Sequence, residues 1–186
     1  MTDWLITPYV PAELAAVVAL VNSAYRGGGA KVGWAHESDY IDGQRTSVAD
    51  LAAELTADPA PSLLVLRQQA GGDILACAMI ERLIDPDGQA AGYIGMVTVR
   101  PDLQAGGVGR AMLGAAERHA VQTGATRARM TVVSIRDTLI AWYERRGYRL
   151  TGERRPFPYD DERFGVPRVA GLEFVVLEKA LTGEGT

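Results

Sequence analysis

The chain has 186 residues, of which 47% are hydrophobic and 23% are charged, and this balance excludes an intrinsically disordered protein. The length predicts a single domain that spans residues 1–186. The formal net charge of -4 disfavours nucleic acid and anionic membrane surfaces as partners, because the overall field repels both.

Cysteine and histidine content restricts the chemistry further. Cys77 is the one cysteine and lies within the apolar run "DILACAMI", so we expect a buried, unreactive thiol and a cytoplasmic location. The amino-terminal segment resembles no export signal, and no apolar run is long enough to cross a membrane. His36 and His119 lie far apart without a ligand spacing, so we expect no metal site.

The first half of the chain predicts a strand, two helices and a long loop. "WLITPYV" has the pattern of a strand, and residues 11–25 form an apolar helix with proline at its first turn. Residues 26–46 are rich in glycine and polar groups, and a loop of this length usually has a function. Ser47 is suited to cap a short helix over residues 48–56.

The second half predicts a meander followed by alternating helices and strands. Glycine-containing turns separate three successive strands, "SLLVLRQ", "DILACAMIERL" and "AGYIGMVTV". A helix over residues 109–123 follows, then the strand "RARMTVV", the short helix "TLIAWYERR", and the closing strands "YRLTGE" and "GLEFVVLEK". This order predicts an α/β (α+β) fold with a mixed, mostly antiparallel central sheet flanked by helices.

Three glycines, Gly106, Gly107 and Gly109, stand where the third meander strand gives way to a helix. Bare amides and the positive end of the helix dipole favour an anion there, and glycine lets a phosphate approach closely. The spacing excludes a dinucleotide fingerprint, which requires glycine at Met112. It also excludes a P-loop, because Gly109 is followed by Arg110 instead of lysine. Tight packing of the helix on the sheet is the alternative explanation for the glycines.

These residues resemble the GNAT superfamily of acetyl-CoA-dependent N-acetyltransferases. Gln104, Gly107 and Gly109 fill its signature of Gln or Arg, two residues, Gly, one residue, and Gly or Ala, within "MVTVRPDLQAGGVGRAML". A second block, "LIAWYERRGYRLTGE", is similar to a later family segment of a short helix and a tyrosine-containing turn. The resemblance covers residues 74–153 well, and the order of elements extends it to the whole chain.

The resemblance implies a GNAT-like sheet and acetyl-CoA as cosubstrate. In the family, the sheet splays open beside the strand that contains residues 97–99. The signature implies that the diphosphate lies on the backbone amides of Ala105, Gly106, Gly107, Val108, Gly109 and Arg110. The pantetheine arm is expected to follow Val97, Thr98 and Val99. Arg110 and Arg136 are candidates to assist with cofactor charge, and solvated arginines are the alternative.

Acetyl transfer to an amine requires a neutral amine, donors for the oxyanion and a proton for the departing thiolate. The resemblance assigns the proton to Tyr143, with a core aromatic as the alternative. Thr131 stands where many family members have a glutamate, so we assign the base to Glu81, with a solvated strand-end carboxylate as the alternative. A backbone N–H near Val97 is the candidate oxyanion donor.

The acceptor pocket is expected to come from the long loop and from "RPFPYDDERFGVPR". The loop offers the candidates Trp34, Glu37, Tyr40, Gln44 and Arg45. Carboxylates would hold an ammonium, and Arg45 would pair with a substrate carboxylate, so we expect an amino-acid-like or polyamine-like acceptor. An acyl-CoA-binding sensor without turnover and a protein or peptide N-acetyltransferase remain as alternatives, and the sequence leaves a homodimer open.

Overall fold

The computed structural model describes residues 4–26, 37, 39–85, 88–104, 106–161 and 165–181. The helices are α1 (Leu14–Arg26), α2 (Val48–Leu55), α3 (Val108–Gln122) and α4 (Asp137–Glu144). The strands are β1 (Leu5–Pro8), β2 (Ile41–Asp42), β3 (Ser62–Arg67), β4 (Ala76–Ile84), β5 (Ala90–Val99), β6 (Arg127–Val133), β7 (Arg149–Pro156), β8 (Val166–Pro167) and β9 (Glu173–Ala180).

Seven of the strands form one sheet in the order β1-β3-β4-β5-β6-β9-β7. Every neighbouring pair is antiparallel except β5 and β6, which run parallel. The predicted mixed, mostly antiparallel sheet with flanking helices is therefore confirmed. The two remaining strands, β2 and β8, pair with each other in a small second sheet.

Local sequence signals place most of the elements within a few residues of their predicted limits. The Ser47 hydroxyl accepts a hydrogen bond from the Asp50 amide and caps α2, as predicted. Helix α3 begins at Val108, one residue before the expected start, and Met112, Ala116 and Ala120 on its apolar face are buried. The sequence analysis missed β2 and β8, because strands of two residues are too short to show a period.

The sheet separates two apolar layers. Leu63 and Val65 of β3 face the layer beneath α1 and α2, whereas Leu64 and Leu66 face the layer beneath α3 and α4. This alternation follows from the two-residue period of a strand and explains why β3 is almost wholly buried. Apolar layers therefore cover both faces of the sheet, so an opening in the sheet has to arise where neighbouring strands separate.

Strands β5 and β6 pair only over a short distance. Residues Ala91, Gly92 and Tyr93 pair with residues 127–129, and no described pairing continues beyond them. A bulge also interrupts β5 against β4, since Met96 and Val97 together stand opposite Ala78. These two irregularities open the sheet beside β5, which is the splay that the resemblance implies.

Gly92 allows α3 to lie directly on β5. A Cβ at this position would stand 2.5 Å from the Ala120 Cβ, so we expect Gly92→Ala to lower the free energy of unfolding by about 1–3 kcal/mol. Gly114→Ala is the control, because a Cβ there meets only the Arg118 guanidinium at 3.5 Å. Alanine should stabilise that helical position by up to about 1 kcal/mol. Chemical denaturation compares the two, and equal stabilities would contradict the close approach.

Candidate active site

A cavity of about 820 Å³ occupies the gap between the separating strands. One wall is formed by residues 93–97 of β5 and the other by residues 130–133 of β6. Residues 155–158, from the end of β7 and the following loop, also line it, which agrees with the expected contribution of "RPFPYDDERFGVPR". The cavity thus begins where the parallel pairing stops.

Glu81 of β4 lines this cavity opposite Tyr93 on the neighbouring strand. Partial burial, together with the negative charge of Glu54, raises the pKa of the Glu81 carboxyl. Thr131, which stands at the family's glutamate position, shares a 2.7 Å hydrogen bond with the Tyr93 hydroxyl across the gap. Glu81 is therefore a carboxyl suited to proton transfer, whereas Thr131 links the two strands.

Glu54 of α2 is a cavity-lining residue that the sequence analysis missed. Desolvation by the surrounding protein, partly offset by the positive charge of Arg45, raises the pKa of the Glu54 carboxyl. In the sequence, Glu54 has the pattern of a solvent-exposed residue on an amphipathic helix. Its position at the cavity depends on the packing of α2 near β4, which is distant in sequence. The cavity thus has two carboxyls with raised pKa values.

Tyr143 of α4 presents its side chain to the same cavity from a buried position. Its ring packs edge-on against Trp142 and Tyr148 and belongs to the core cluster. No hydrogen bond joins its hydroxyl to a described residue. Burial, reinforced by nearby Tyr25, raises the pKa of the phenol, so the group stays protonated at neutral pH. The ring is a core aromatic, and the phenol is available as a proton donor.

Glu37 is held between two arginines. Its carboxylate oxygens accept hydrogen bonds from Arg26 at 2.8 Å and from Arg136 at 3.0 Å, and all three side chains are nearly buried. This pairing joins the end of α1 to the start of α4 beside the cavity. Arg136 is not a solvated arginine, so that alternative is wrong. The assignments of Arg136 to the cofactor and of Glu37 to the acceptor stay predictions.

Of the other acceptor candidates, Arg45 lines the cavity, whereas Tyr40 and Gln44 are not among its lining residues. Arg45 lines it, with the guanidinium carbon 5.6 Å from the centroid of the Tyr25 ring and no ion pair to a carboxylate of the described residues. Tyr40 and Gln44 lie in the loop segment beside it, where the Tyr40 carbonyl accepts a hydrogen bond from the Arg168 amide. Trp34 lies outside the described residues.

The expected cofactor strand contributes only part of its length to the cavity. Val97 lines the cavity, and its carbonyl accepts a 3.3 Å hydrogen bond from the Tyr25 hydroxyl. Thr98 and Val99 are fully buried. Burial raises the pKa of the Cys77 thiol to about 12, which fits the expected unreactive cysteine.

The glycine turn follows the same strand and opens toward solvent. Gly107 has a φ of +80° and precedes α3, and a Cβ there would meet no atom within 4 Å. A Cβ at Gly106 would meet only the Leu103 carbonyl, at 3.6 Å. Packing of the helix on the sheet therefore does not account for these two exposed glycines, although Gly109 is buried.

Neighbouring residues complete the turn. The Gln104 side chain donates a 3.2 Å hydrogen bond to the Val99 carbonyl and ties the turn to β5. Val108 is buried and Arg110 is exposed, while Ala105 lies outside the described residues. The described segment thus joins an open helix start to the cavity-lining strand.

The described ranges contain no group of three or more His, Cys, Asp or Glu side chains placed to hold a metal ion. No helix within them is long and apolar enough to cross a membrane.

Comparison with known proteins gives one sequence match at the level of families. Residues 29–148 match the model of the acetyltransferase (GNAT) family, which is well over half of the chain. No curated protein sequence matches the chain.

Solved structures resemble the chain over nearly its whole length. The structure of yncA from Salmonella typhimurium with its cofactor acetyl-CoA has a TM-score of 0.68 and 17% identity, covering 99% of this chain and 97% of that one. The ribosomal-protein-S18-alanine N-acetyltransferase from Escherichia coli has a TM-score of 0.65 and 17% identity, covering 98% and 97%. An N-acetyltransferase from Staphylococcus aureus Mu50 has a TM-score of 0.67 and 13% identity, covering 97% and 99%. At these identities the likeness shows a shared fold.

Proposed function

The chain belongs to the acetyltransferase (GNAT) family, and we propose that it moves an acetyl group from acetyl-CoA to the primary amine of a small molecule. The observation that supports this most directly is that a carboxyl, Glu81, and a phenol, Tyr143, line one cavity together with the strand that leads to the glycine turn. We further propose that residues 1–186 form a single catalytic domain that works in the cytoplasm.

The residues around the turn fit acetyl-CoA. Gly106 and Gly107 leave space at an exposed helix start, where bare amides and the helix dipole favour the diphosphate. Beyond Tyr93, β5 pairs with β4 alone among the described strands, so its second edge offers backbone groups to the pantetheine amides. Acetyl-CoA supplies the acetyl group as a reactive thioester.

Glu81 and Tyr143 divide the proton transfers between them. The Glu81 carboxylate accepts a proton from the substrate ammonium, directly or through water, so that the neutral amine forms the new C–N bond. The Tyr143 hydroxyl gives a proton to the thiolate as the C–S bond breaks, and the nitrogen of the new amide returns its second proton to the tyrosinate, directly or through water. The raised pKa of Glu81 favours a carboxyl that takes up a proton, and the raised pKa of Tyr143 keeps the phenol protonated until the thiolate forms. Backbone N–H groups at the Met96–Val97 bulge are the candidate oxyanion donors.

The charges of the cavity suggest the acceptor. Glu54 and Glu81 provide negative charge for an ammonium, whereas Arg45 provides a guanidinium for a carboxylate. Tyr40, Gln44 and Trp34 remain candidates for the surrounding wall. This combination favours an amino-acid-like acceptor, and it also admits a polyamine held by the carboxyls alone.

Thiol release from acetyl-CoA with a panel of acceptors tests the proposed activity. We expect release with free amino acids or polyamines that exceeds hydrolysis without acceptor, because only an enzyme turns the thioester over. Binding of acetyl-CoA without release for any amine would instead indicate a sensor. Release with amino-terminal peptides alone would indicate a protein N-acetyltransferase.

The glycine turn is tested separately by binding of acetyl-CoA to Gly107→Ala. We expect weaker binding, because a side chain at a φ of +80° reorients the amides that face the diphosphate. Gly171→Ala is the matched control, since it has a φ of +75° and equally open surroundings in the loop before β9. Both variants should lose similar stability. Equal affinity in the two would contradict the proposed diphosphate site.

Tyr143→Phe is expected to lower kcat about 100-fold, because it removes the proton donor for the thiolate. Its stability should hardly change, since the hydroxyl makes no hydrogen bond to a described residue. Tyr148→Phe provides the opposite control, because it breaks a 3.0 Å hydrogen bond to Glu117 and should cost about 1.5–3 kcal/mol of stability. The kcat of Tyr148→Phe should equal that of the unaltered protein. If Tyr143→Phe keeps full turnover, Tyr143 is not the proton donor.

Glu54→Gln is expected to move the acidic limb of the kcat/KM profile to lower pH. A carboxylate base loses activity as the pH falls through its pKa, and the charge of Glu54 raises the pKa of Glu81. Removing that charge lowers the pKa, so activity persists to lower pH. Asp58→Asn removes an exposed carboxylate just beyond α2 and should leave the profile in place. If the acidic limb of the kcat/KM profile does not move in Glu54→Gln, Glu81 is not the base.

A further inference from the structure

The bulge in β5 changes which side of the sheet its side chains face. Ile94 and Val97 belong to the same apolar layer, beneath α3 and α4, although they are three positions apart. Met96, which lies between them, faces the layer beneath α1 and α2. A regular strand would place only alternate residues on one side. Met96 and Val97 accordingly fall outside the residue-by-residue pairing with β4, and β6 has no described pairing with either.

Two side-chain hydroxyls bond the carbonyls of the bulge. The Thr98 hydroxyl donates a 3.0 Å hydrogen bond to the Met96 carbonyl. The Tyr25 hydroxyl reaches the bulge from α1 and donates a 3.3 Å hydrogen bond to the Val97 carbonyl. Burial raises the pKa of Tyr25 to about 12, so this hydroxyl keeps its proton at neutral pH. Hydroxyl groups therefore fix the peptides on both sides of Val97.

Both hydroxyl-bearing residues are themselves held by the core. Thr98 is fully buried and stands opposite Cys77 of β4. Helix α1 packs against β5, and the Tyr25 ring packs against the apolar layer beneath α1 and α2. The Tyr25 carbonyl also accepts a 3.0 Å hydrogen bond from the Glu37 amide. The Thr98 side chain does not line the cavity, so it can affect the chemistry there only through the backbone that it bonds.

Fixing a carbonyl of the bulge also fixes an N–H. The Met96–Val97 peptide is trans, so the Met96 carbonyl and the Val97 N–H point in opposite directions. Both residues line the cavity. Met96 has a φ of +50°, a conformation that is unfavourable for a methionine, and rotation toward a regular strand would turn this peptide. The hydrogen bond from Thr98 opposes that rotation.

We propose that Thr98 and Tyr25 are positioning residues, which hold the Val97 N–H in the direction that binds the oxyanion of acetyl transfer. The inference rests on the proposed function, in which the amine adds to the thioester carbonyl and the electron pair of the C=O bond moves to oxygen. Full negative charge on that oxygen exists only after the amine has added. A correctly directed N–H therefore lowers the barrier more than it strengthens the binding of acetyl-CoA.

Steady-state kinetics of Thr98→Val and Tyr25→Phe test the proposal, because each substitution removes one hydroxyl and keeps the shape of the side chain. We expect kcat to fall about tenfold in each variant, less than the loss of about 100-fold that follows the removal of a whole oxyanion donor. The KM for acetyl-CoA should stay unchanged, since the lost interaction acts in the transition state. Thr98→Ser keeps the hydroxyl and should retain most of the kcat.

Carbon-13 NMR of bound acetyl-CoA, labelled at the carbonyl carbon, reports the hydrogen bond to the thioester without turnover. A hydrogen bond to a carbonyl oxygen moves the carbon resonance downfield. We therefore expect the resonance in Thr98→Val and in Tyr25→Phe to lie upfield of its position in the unaltered protein. Tyr25→Phe carries both measurements if Thr98→Val does not fold.

Thr123→Val and Tyr148→Phe are the matched controls, because each removes a hydroxyl that donates a hydrogen bond away from the cavity. The Thr123 hydroxyl donates a 2.9 Å hydrogen bond to the Ala120 carbonyl, and the Tyr148 hydroxyl donates a 3.0 Å hydrogen bond to Glu117. Neither Thr123 nor Tyr148 lines the cavity. Both controls should keep the kcat and the carbonyl resonance of the unaltered protein.

The two measurements separate the inference from the proposed function. If Thr98→Val and Tyr25→Phe match the controls in kcat and in the carbonyl resonance, their hydroxyls serve only to satisfy buried carbonyls, and the inference alone is wrong. If the unaltered protein binds no acetyl-CoA, or releases no thiol with any acceptor, the proposed function is wrong and the inference fails with it.

Discussion

The end of the parallel pairing between β5 and β6 is the constraint on which the site depends. Pairing holds at Ala91–Tyr93, where Gly92 lets α3 approach the sheet, and ceases where the cavity begins. The bulge at Met96 and Val97 turns β5 further from a regular ladder, and Met96 adopts a φ of +50°. Such a backbone is unfavourable for a methionine and persists only because β4 and the two apolar layers hold it.

Local signals made most of the fold predictable. Turn residues delimit the meander, the small apolar face defines α3, and the glycines mark the junction between strand and helix. These features depend on residues within one turn or one strand. Glu81 and Tyr143 line one cavity, and each lies on an element whose type and order the sequence defines, while their catalytic roles stay predictions.

Contacts distant in sequence could not be predicted in the same way. Glu37 and Arg136 are 99 residues apart, and no pattern near either one indicates that the pair is buried together. Glu54 resembles any charged residue on a solvated helix face until α2 is placed against the sheet.

The carboxyls of the cavity differ in how their charges are compensated. Glu37 is paired with two arginines, so the burial of its charge is supported within the protein. Glu54 and Glu81 have no such compensation from an ion pair among the described residues, and the chain tolerates the raised pKa values that result. A cationic amine bound in the cavity would give both carboxyls an opposite charge and so lower their pKa values, which connects the raised pKa values of the free protein to the acceptor proposed for it.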